Sequence, residues 1–371
     1  MSDKITFFPV GNGDMTLITL ENSTNIMIDC NIKEKAADET TDDFDCQQWL
    51  MDNLPQNKDG VRMLDAFILT HHDIDHCRNA ENYFNLCKPD SLNDEKIFVK
   101  ELIVAPKLIT VKEGDLGNDS AKKLRKEAKR RLALYTDSDD SASDDGNRIQ
   151  IIGYSSTLTD YNDLITPAGK KIDKINGKKH VNFEVFVLGP VKKDNDDESA
   201  EINDTSIVLK LSFIKTTNTV VMIAGGDETC DNLVDIINKN SDLKFDILIA
   251  THHCSWHSIS NEDSKDGKPH RTISDFLEKS KVNAHIIASS KPIKKDDDNP
   301  PSYRAKNEYK RHISTDDRFY CLGEYPDESD TKPLIFTISN QGVSLDDTNM
   351  SSKYSSVLTN SIYTPKSYGK D

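Results

Sequence analysis

Hydrophobic positions in this chain come in short blocks, with no long helical stripe. In the first half the blocks are "KITFFPV", "MTLITLE", "TNIMIDC", "LDAFILT" and "KIFVKELIVA". In the second they are "FEVFVLG", "TSIVLKLSFI", "TVVMIAGG", "FDILIAT", "NAHIIAS" and "KPLIFTIS". Runs this short and this rich in Ile, Val, Phe and Leu predict strands. Helices are predicted between them at Asp42 to Leu54, Cys77 to Cys87, Ser120 to Tyr135, Glu228 to Asn238 and Ile273 to Lys279. Strands alternating with helices predict an α/β (α+β) chain with two mixed sheets and helices outside. No internal repeat is visible.

Composition narrows the class. The 371 residues suffice for one large domain or two ordinary ones, and 36% hydrophobic against 30% charged residues describes a core threaded between polar insertions. No apolar run approaches the roughly 20 residues of a membrane span. The opening "MSDKITFFPVGNGD" has no signal-peptide pattern, so the cytoplasm is the default expectation. Cys30, Cys46, Cys77, Cys87, Cys230, Cys254 and Cys321 include no C-x-x-C pair, which argues against a disulfide framework or a cysteine-bound zinc. The formal net charge of −16 disfavours non-specific coating of nucleic acid, but leaves room for a local cationic site.

Charged stretches interrupt the pattern. "YTDSDDSASDDGN" and "KKDNDDESAE" predict acidic loops or partial disorder. "NDSAKKLRKEAKRRLALYTD" predicts a basic helix, more commonly a solvated face than a phosphate contact. One domain is expected over residues 1–345, with charged insertions around 88–180 and 190–201 and a C-terminal tail over 346–371.

Candidate chemistry sits where strands stop. "LDAFILTHHDIDH" delivers His71, His72, Asp73, Asp75 and His76; "TVVMIAGGDETC" delivers Asp227; "FDILIATHHCSWH" delivers His252 and His253. Strand ends are stiff enough to hold metal ligands, and several converging on one edge build a site. Asp75 and His76 are adjacent and are expected to point different ways, toward two metals or a metal and its surroundings. Such a loop suits two divalent ions bridged by one carboxylate, with Asp227 the natural bridge. Three carboxylates and three imidazoles, without thiolate, favour Mn²⁺ over Zn²⁺.

These motifs resemble a known family. "THHDIDH" resembles the H-x-[HD]-x-D-H signature of the metallo-β-lactamase fold, and its third-position aspartate resembles the subgroup containing the hydrolase domain of competence DNA-uptake (ComEC-type) proteins and the phosphorylcholine esterases. "FFPVGNGDMTLITLENSTNIMIDC", "NDTSIVLKL", "IAGGDE" and "ATHHCSWHS" are similar to further segments of that subgroup, in the same order. The resemblance implies an αββα sandwich with one metal held by His71 and Asp73. The other would be held by Asp75, His76 and His253, with Asp227 between. It implies that His252 contacts a phosphate or protonates a leaving group, that Asn203 contacts substrate, and that Asp29 orients a ligand histidine. Asp14 would shape the first turn rather than touch metal.

The chain departs from relatives in three places. "CRNAE" follows the D-H pair, placing Arg78 or Asn79 near the cleft. Cys254 replaces a glycine, a mild change in backbone freedom. No histidine accompanies Pro300 and Pro301, which leaves its role vacant or to Tyr303 or Arg304.

The resulting expectation is a cytosolic dinuclear-metal hydrolase, a phosphodiesterase or nuclease using a metal-bridging hydroxide, with Asp75 and His252 catalytic and a nucleic acid or nucleotide as substrate. Arg78, Lys291 or Arg304 would hold an adjacent phosphate. The alternatives are hydrolysis of a lactone, thioester or phosphocholine ester, a component of a multi-gene antiviral system with a protein partner, or a binding protein with a relic site. An antibiotic β-lactamase is the weakest reading.

Overall fold

The computed structural model describes residues 2–34, 43–191, 195–197, 200–264 and 266–346. The C-terminal tail, apart from Asp346, and part of the acidic 190–201 stretch lie outside the described residues.

Two mixed sheets organise the chain. The first runs, edge to edge, Gly342–Leu345, Leu334–Ser339, Asp3–Phe7, Thr16–Thr19, Asn25–Ile28, Met63–Leu69, Ile97–Val104, Arg148–Ile152 and Ile165–Thr166. It is antiparallel as far as Asn25–Ile28 and parallel beyond. The second runs Phe183–Gly189, Val208–Ile214, Thr219–Gly225, Ile247–Ile249, His285–Ala288 and Phe319–Cys321, again antiparallel and then parallel.

Period-2 alternation decides what each face covers. Ile26, Ile28, Ala66 and Ile68 from the first sheet share one core with Leu209, Leu211, Phe213, Val220, Met222, Ala224, Ile247 and Ile249 from the second. The intervening Met27, Phe67 and Leu69 turn to the other side, onto Leu50 of helix Cys46–Asn53 and Ala121, Leu124, Ala128 and Leu132 of helix Asp119–Thr136. On the far side of the second sheet, Val208, Ile223, Leu248 and Ile286 meet helices Cys230–Lys239, Arg271–Leu277 and Tyr303–Arg311. Strands covered on both faces need apolar residues at nearly every position, as "AFIL" and "DILIA" have.

Several expectations are corrected. The 88–180 stretch, read as a charged insertion, contributes two interior strands to the first sheet. The acidic 135–147 segment is held in place by Arg130, which donates to the Gly146 carbonyl and Asn147 Oδ1. The single helix expected from Cys77 to Cys87 is broken into Ile74–Cys77 and Ala80–Tyr83, because Asn79 between them takes a left-handed conformation (φ 60°). Asparagine is among the few residues that tolerate it.

The parallel halves place carboxyl ends side by side. Asn25–Ile28 ends at Asp29, Met63–Leu69 at Thr70 and His71, Thr219–Gly225 at Asp227, Ile247–Ile249 at the 251–254 turn, and His285–Ala288 at Ser289. A hydrogen bond from Ile207 N–H to the Thr70 carbonyl (3.0 Å) ties the second sheet to this rim of the first.

Candidate metal centre

The loop after Met63–Leu69 is clamped before it reaches its acidic residues. Thr70 donates through both N–H (2.7 Å) and Oγ1 (2.6 Å) to the fully buried Asp29 carboxylate. Asp29 Oδ2 also lies 2.8 Å from His76 Nδ1, which fixes that ring from behind. The first turn packs straight onto the loop: Asp14 N–H donates to the Asp75 carbonyl (3.2 Å). A Cβ on Gly13 (φ 141°) would come within 2.6 Å of that same oxygen. Gly226 serves likewise, since a side chain there would press to 2.9 Å on His71 Nδ1, Thr70 Oγ1 and Ser206 Oγ. Asp227 follows, its N–H donating to Ser206 Oγ (3.2 Å).

His253 arrives by an unusual turn. His252, His253 and Cys254 all have left-handed backbone, with φ of 51°, 52° and 68°. Each costs a non-glycine residue roughly 1–2 kcal/mol. Cys254, expected to be a mild replacement for glycine, therefore carries real strain. The turn sets His253 Nδ1 3.1 Å from the Ser289 carbonyl, which accepts when Nδ1 is protonated and leaves Nε2 as a free donor atom.

Four side chains then converge. His76 Nε2 lies 3.2 Å from Asp227 Oδ1, and His253 Nε2 lies 3.2 Å from both Asp227 Oδ2 and Asp75 Oδ2. Asp14, His76, Asp227 and His253 are all buried, and each offers an atom within 4.8 Å of the others, a group able to hold a metal ion. Adjacent Asp75 and His76, expected to diverge, thus flank the same Asp227–His253 pair. Asp14, expected only to shape the turn, puts its carboxylate oxygens 4.0 Å from His76 Nδ1 and 3.9 Å from His253 Nδ1. The G-x-G-D motif was the available signal for it; the fold had to bring the turn to the histidines.

The donor atoms fit a cation. His71 Nε2, His76 Nε2, His253 Nε2 and Asp227 Oδ1 are buried without a hydrogen-bond partner among the described residues. Buried polar atoms left unpaired are costly, and an arrangement of imidazole nitrogens facing carboxylate oxygens is relieved by a cation between them. The electrostatics agree. Burial opposes charge on Asp227, yet the His253 and His76 rings hold its carboxyl well below the usual range. Burial likewise opposes protonation of His253, but Asp227 and Asp75 raise it to about 10. Burial lifts Asp14 to about 6, and burial with repulsion from Asp75 lifts Asp73 to about 6. Protons and metal ions compete for such a site.

The remaining candidates are distributed around this group. His71 stacks near His76 (ring centroids 4.0 Å apart) and its Nε2 is 3.8 Å from Asp73 Oδ2, on the more exposed side of the loop. His252 Nε2 is 3.6 Å from Asp227 Oδ2, with its side chain 21% exposed. Asn203 lies in the short turn before Val208–Ile214, and its Oδ1 is buried without a partner among the described residues. His72 turns away, and burial followed by the charges of Lys107 and Arg125 lowers its pKa to about 4.

The three expected phosphate-holding cations have other duties. Arg78 Nε donates to Asn31 (2.8 Å), Lys291 pairs with Asp298 (2.7 Å), and Arg304 stacks on Trp256 (3.8 Å) while donating to the Ser264 and Gly267 carbonyls. Comparison with protein-family models and with curated proteins finds no match to this chain.

Proposed function

We propose that the chain is a divalent-metal-dependent hydrolase of phosphodiesters on a metallo-β-lactamase-type scaffold, related to ComEC-type hydrolase domains. The observation carrying this reading is the set of buried, unpartnered nitrogens and oxygens of His71, His76, His253 and Asp227 at the rim where five parallel strand ends meet. Asp75, His76, Asp227 and His253 would hold one cation; His71, Asp73 and Asp227, with Asn203 beside them, would hold a second. Cations bound there supply Lewis acidity and bring the ionisation of water to near-neutral pH.

The chain's own residues do the rest. Asp29 and the Ser289 carbonyl keep the Nδ1 proton on His76 and His253 and aim Nε2 inward. His252 is the most exposed histidine of the group, and burial lowers its pKa, so it is neutral at pH 7 and donates a hydrogen bond to a substrate oxygen. Asn203 adds an amide to the same wall. Carboxylate-rich donors without a thiolate suit manganese ahead of zinc.

The test is metal analysis of protein purified without added metal, with bis-nitrophenyl phosphate and plasmid DNA assayed against wild type and Asp227→Ala. About two ions per chain and turnover lowered by at least ~100-fold in the variant are expected. Turnover of lactones or thioesters but not of diesters would move the substrate class. Unchanged activity in Asp227→Ala would end the metal account.

A further inference from the structure

His72 stands between two candidate ligands, yet its ring leaves the metal centre. It is 1% exposed, and its Nε2 has no hydrogen-bond partner among the described residues. Its backbone is fixed, the carbonyl accepting from Asn118 Nδ2 (3.0 Å) at the start of helix Asp119–Thr136. The ring is therefore held in a set direction without a partner for its polar tip.

Two cations share that side. Arg125 projects from the same helix, and its Nε and Nη1 are buried without a hydrogen-bond partner among the described residues. Lys107, on the neighbouring helix Pro106–Thr110, is 9% exposed and donates to the Asp197 carbonyl (3.0 Å). Neither has a carboxylate partner among the described residues, in a chain with 63 acidic side chains to offer. A buried cation without a counter-charge is unfavourable, and an oxyanion is the usual remedy. A guanidinium edge, an ammonium and an imidazole N–H together match the oxygens of a phosphate, and two positive charges balance its dianion.

We propose that His72, Arg125 and Lys107 form a seat for a phosphate group beside the metal centre. Where the phosphodiester reading holds, the seat takes a second phosphate of the substrate, so substrates with one phosphate beyond the scissile bond are preferred. The seat itself does not depend on that reading.

Calorimetric titration of the full chain with inorganic phosphate tests it. Wild type should bind, Arg125→Gln and Lys107→Gln should each bind about tenfold more weakly or worse, and Asp227→Asn should bind within about twofold of wild type. Arg125→Gln should also be no less stable than wild type without phosphate, since it removes a cation that has no partner. Should that variant fail to fold, His72→Gln reads the same contact. Absence of wild-type binding overturns the seat, and so does binding that survives Arg125→Gln but is lost in Asp227→Asn, which would put phosphate on the metals. The source of the phosphate is read from KM. A rise confined to a 5′-phosphorylated oligonucleotide, with bis-nitrophenyl phosphate unaffected, assigns the seat to substrate; KM unchanged for both, with phosphate binding lost, assigns it to the free ion. If no diester is cleaved, calorimetry still decides.

Discussion

At the scale of single residues, the metal candidates depend on groups that never face the cation. Asp29 accepts from Thr70 and confronts His76 Nδ1, so it sets both the start of the loop and the tautomer of one imidazole. Asp29→Asn keeps the shape and loses the charge. Metal affinity, read by competition with a chelating dye, should fall by about 10–100-fold while the far-ultraviolet spectrum is unchanged. Backbone strain is separable from side-chain packing at Cys254, which is fully buried with φ 68°. Cys254→Gly and Cys254→Ala both delete the thiol, and only glycine is at ease in that conformation. Urea denaturation should find the glycine variant more stable than the alanine variant by about 1 kcal/mol. Equal stabilities would mean that the turn costs nothing.

At the scale of elements, helix Asp119–Thr136 serves the loop as well as the core. Its inner face buries Ala121, Leu124, Ala128 and Leu132, and its N-cap Asn118 accepts from Ala121 N–H (2.7 Å) while donating to the His72 carbonyl. One side chain thus joins a helix terminus to the centre of the metal loop. Asn118→Ala should lower stability by about 1–2 kcal/mol with an unchanged denaturant slope, and should weaken metal binding as well. A loss of stability with unaltered metal affinity would show that the loop is held by Asp29 and Thr70 alone. Further along, Arg131 is buried among the Val99 and Arg148 carbonyls and Glu127, so the basic run "KRR" is not uniformly a solvated face.

For the whole molecule, acid sensitivity has an identifiable contributor away from the metal centre. His285 begins a strand of the second sheet against Phe336 (ring centroids 4.7 Å apart) and receives a hydrogen bond from Arg318 (3.0 Å). Burial, then the Arg318 charge, lowers its pKa from 6.5 to about 4. Below pH 6.5 the unfolded chain takes up a proton that the folded chain refuses until about pH 4. Stability present above pH 6.5 is therefore lost progressively between those values, by about 3 kcal/mol at most. His285→Phe should flatten that part of the urea-midpoint profile relative to wild type. An identical profile would relocate the acid limb to the carboxylates.

The sequence by itself determined the local facts. Strands covered on both faces must be apolar at nearly every position, so the runs ending in "THHDIDH", "GGDETC" and "THHCSWH" were readable, as was the metal-binding character of the residues closing them. Elements whose burial rests on a few side chains were not. Helix Tyr303–Arg311 buries Ala305, Glu308 and Tyr309 amid charge, and strand Arg148–Ile152 follows an acidic run that masked it. Direction and distance belonged to tertiary structure alone. Residue type shows that Asp14, His72 and Asp227 can bind a cation or a proton, but side-chain direction depends on which backbone segments abut. Sheet pairing places Asp14 against two imidazoles, left-handed backbone aims His253 inward, and the helix starting at Asp119 draws His72 toward Arg125 and Lys107. Those contacts join residues far apart in the chain, where no local pattern can record them.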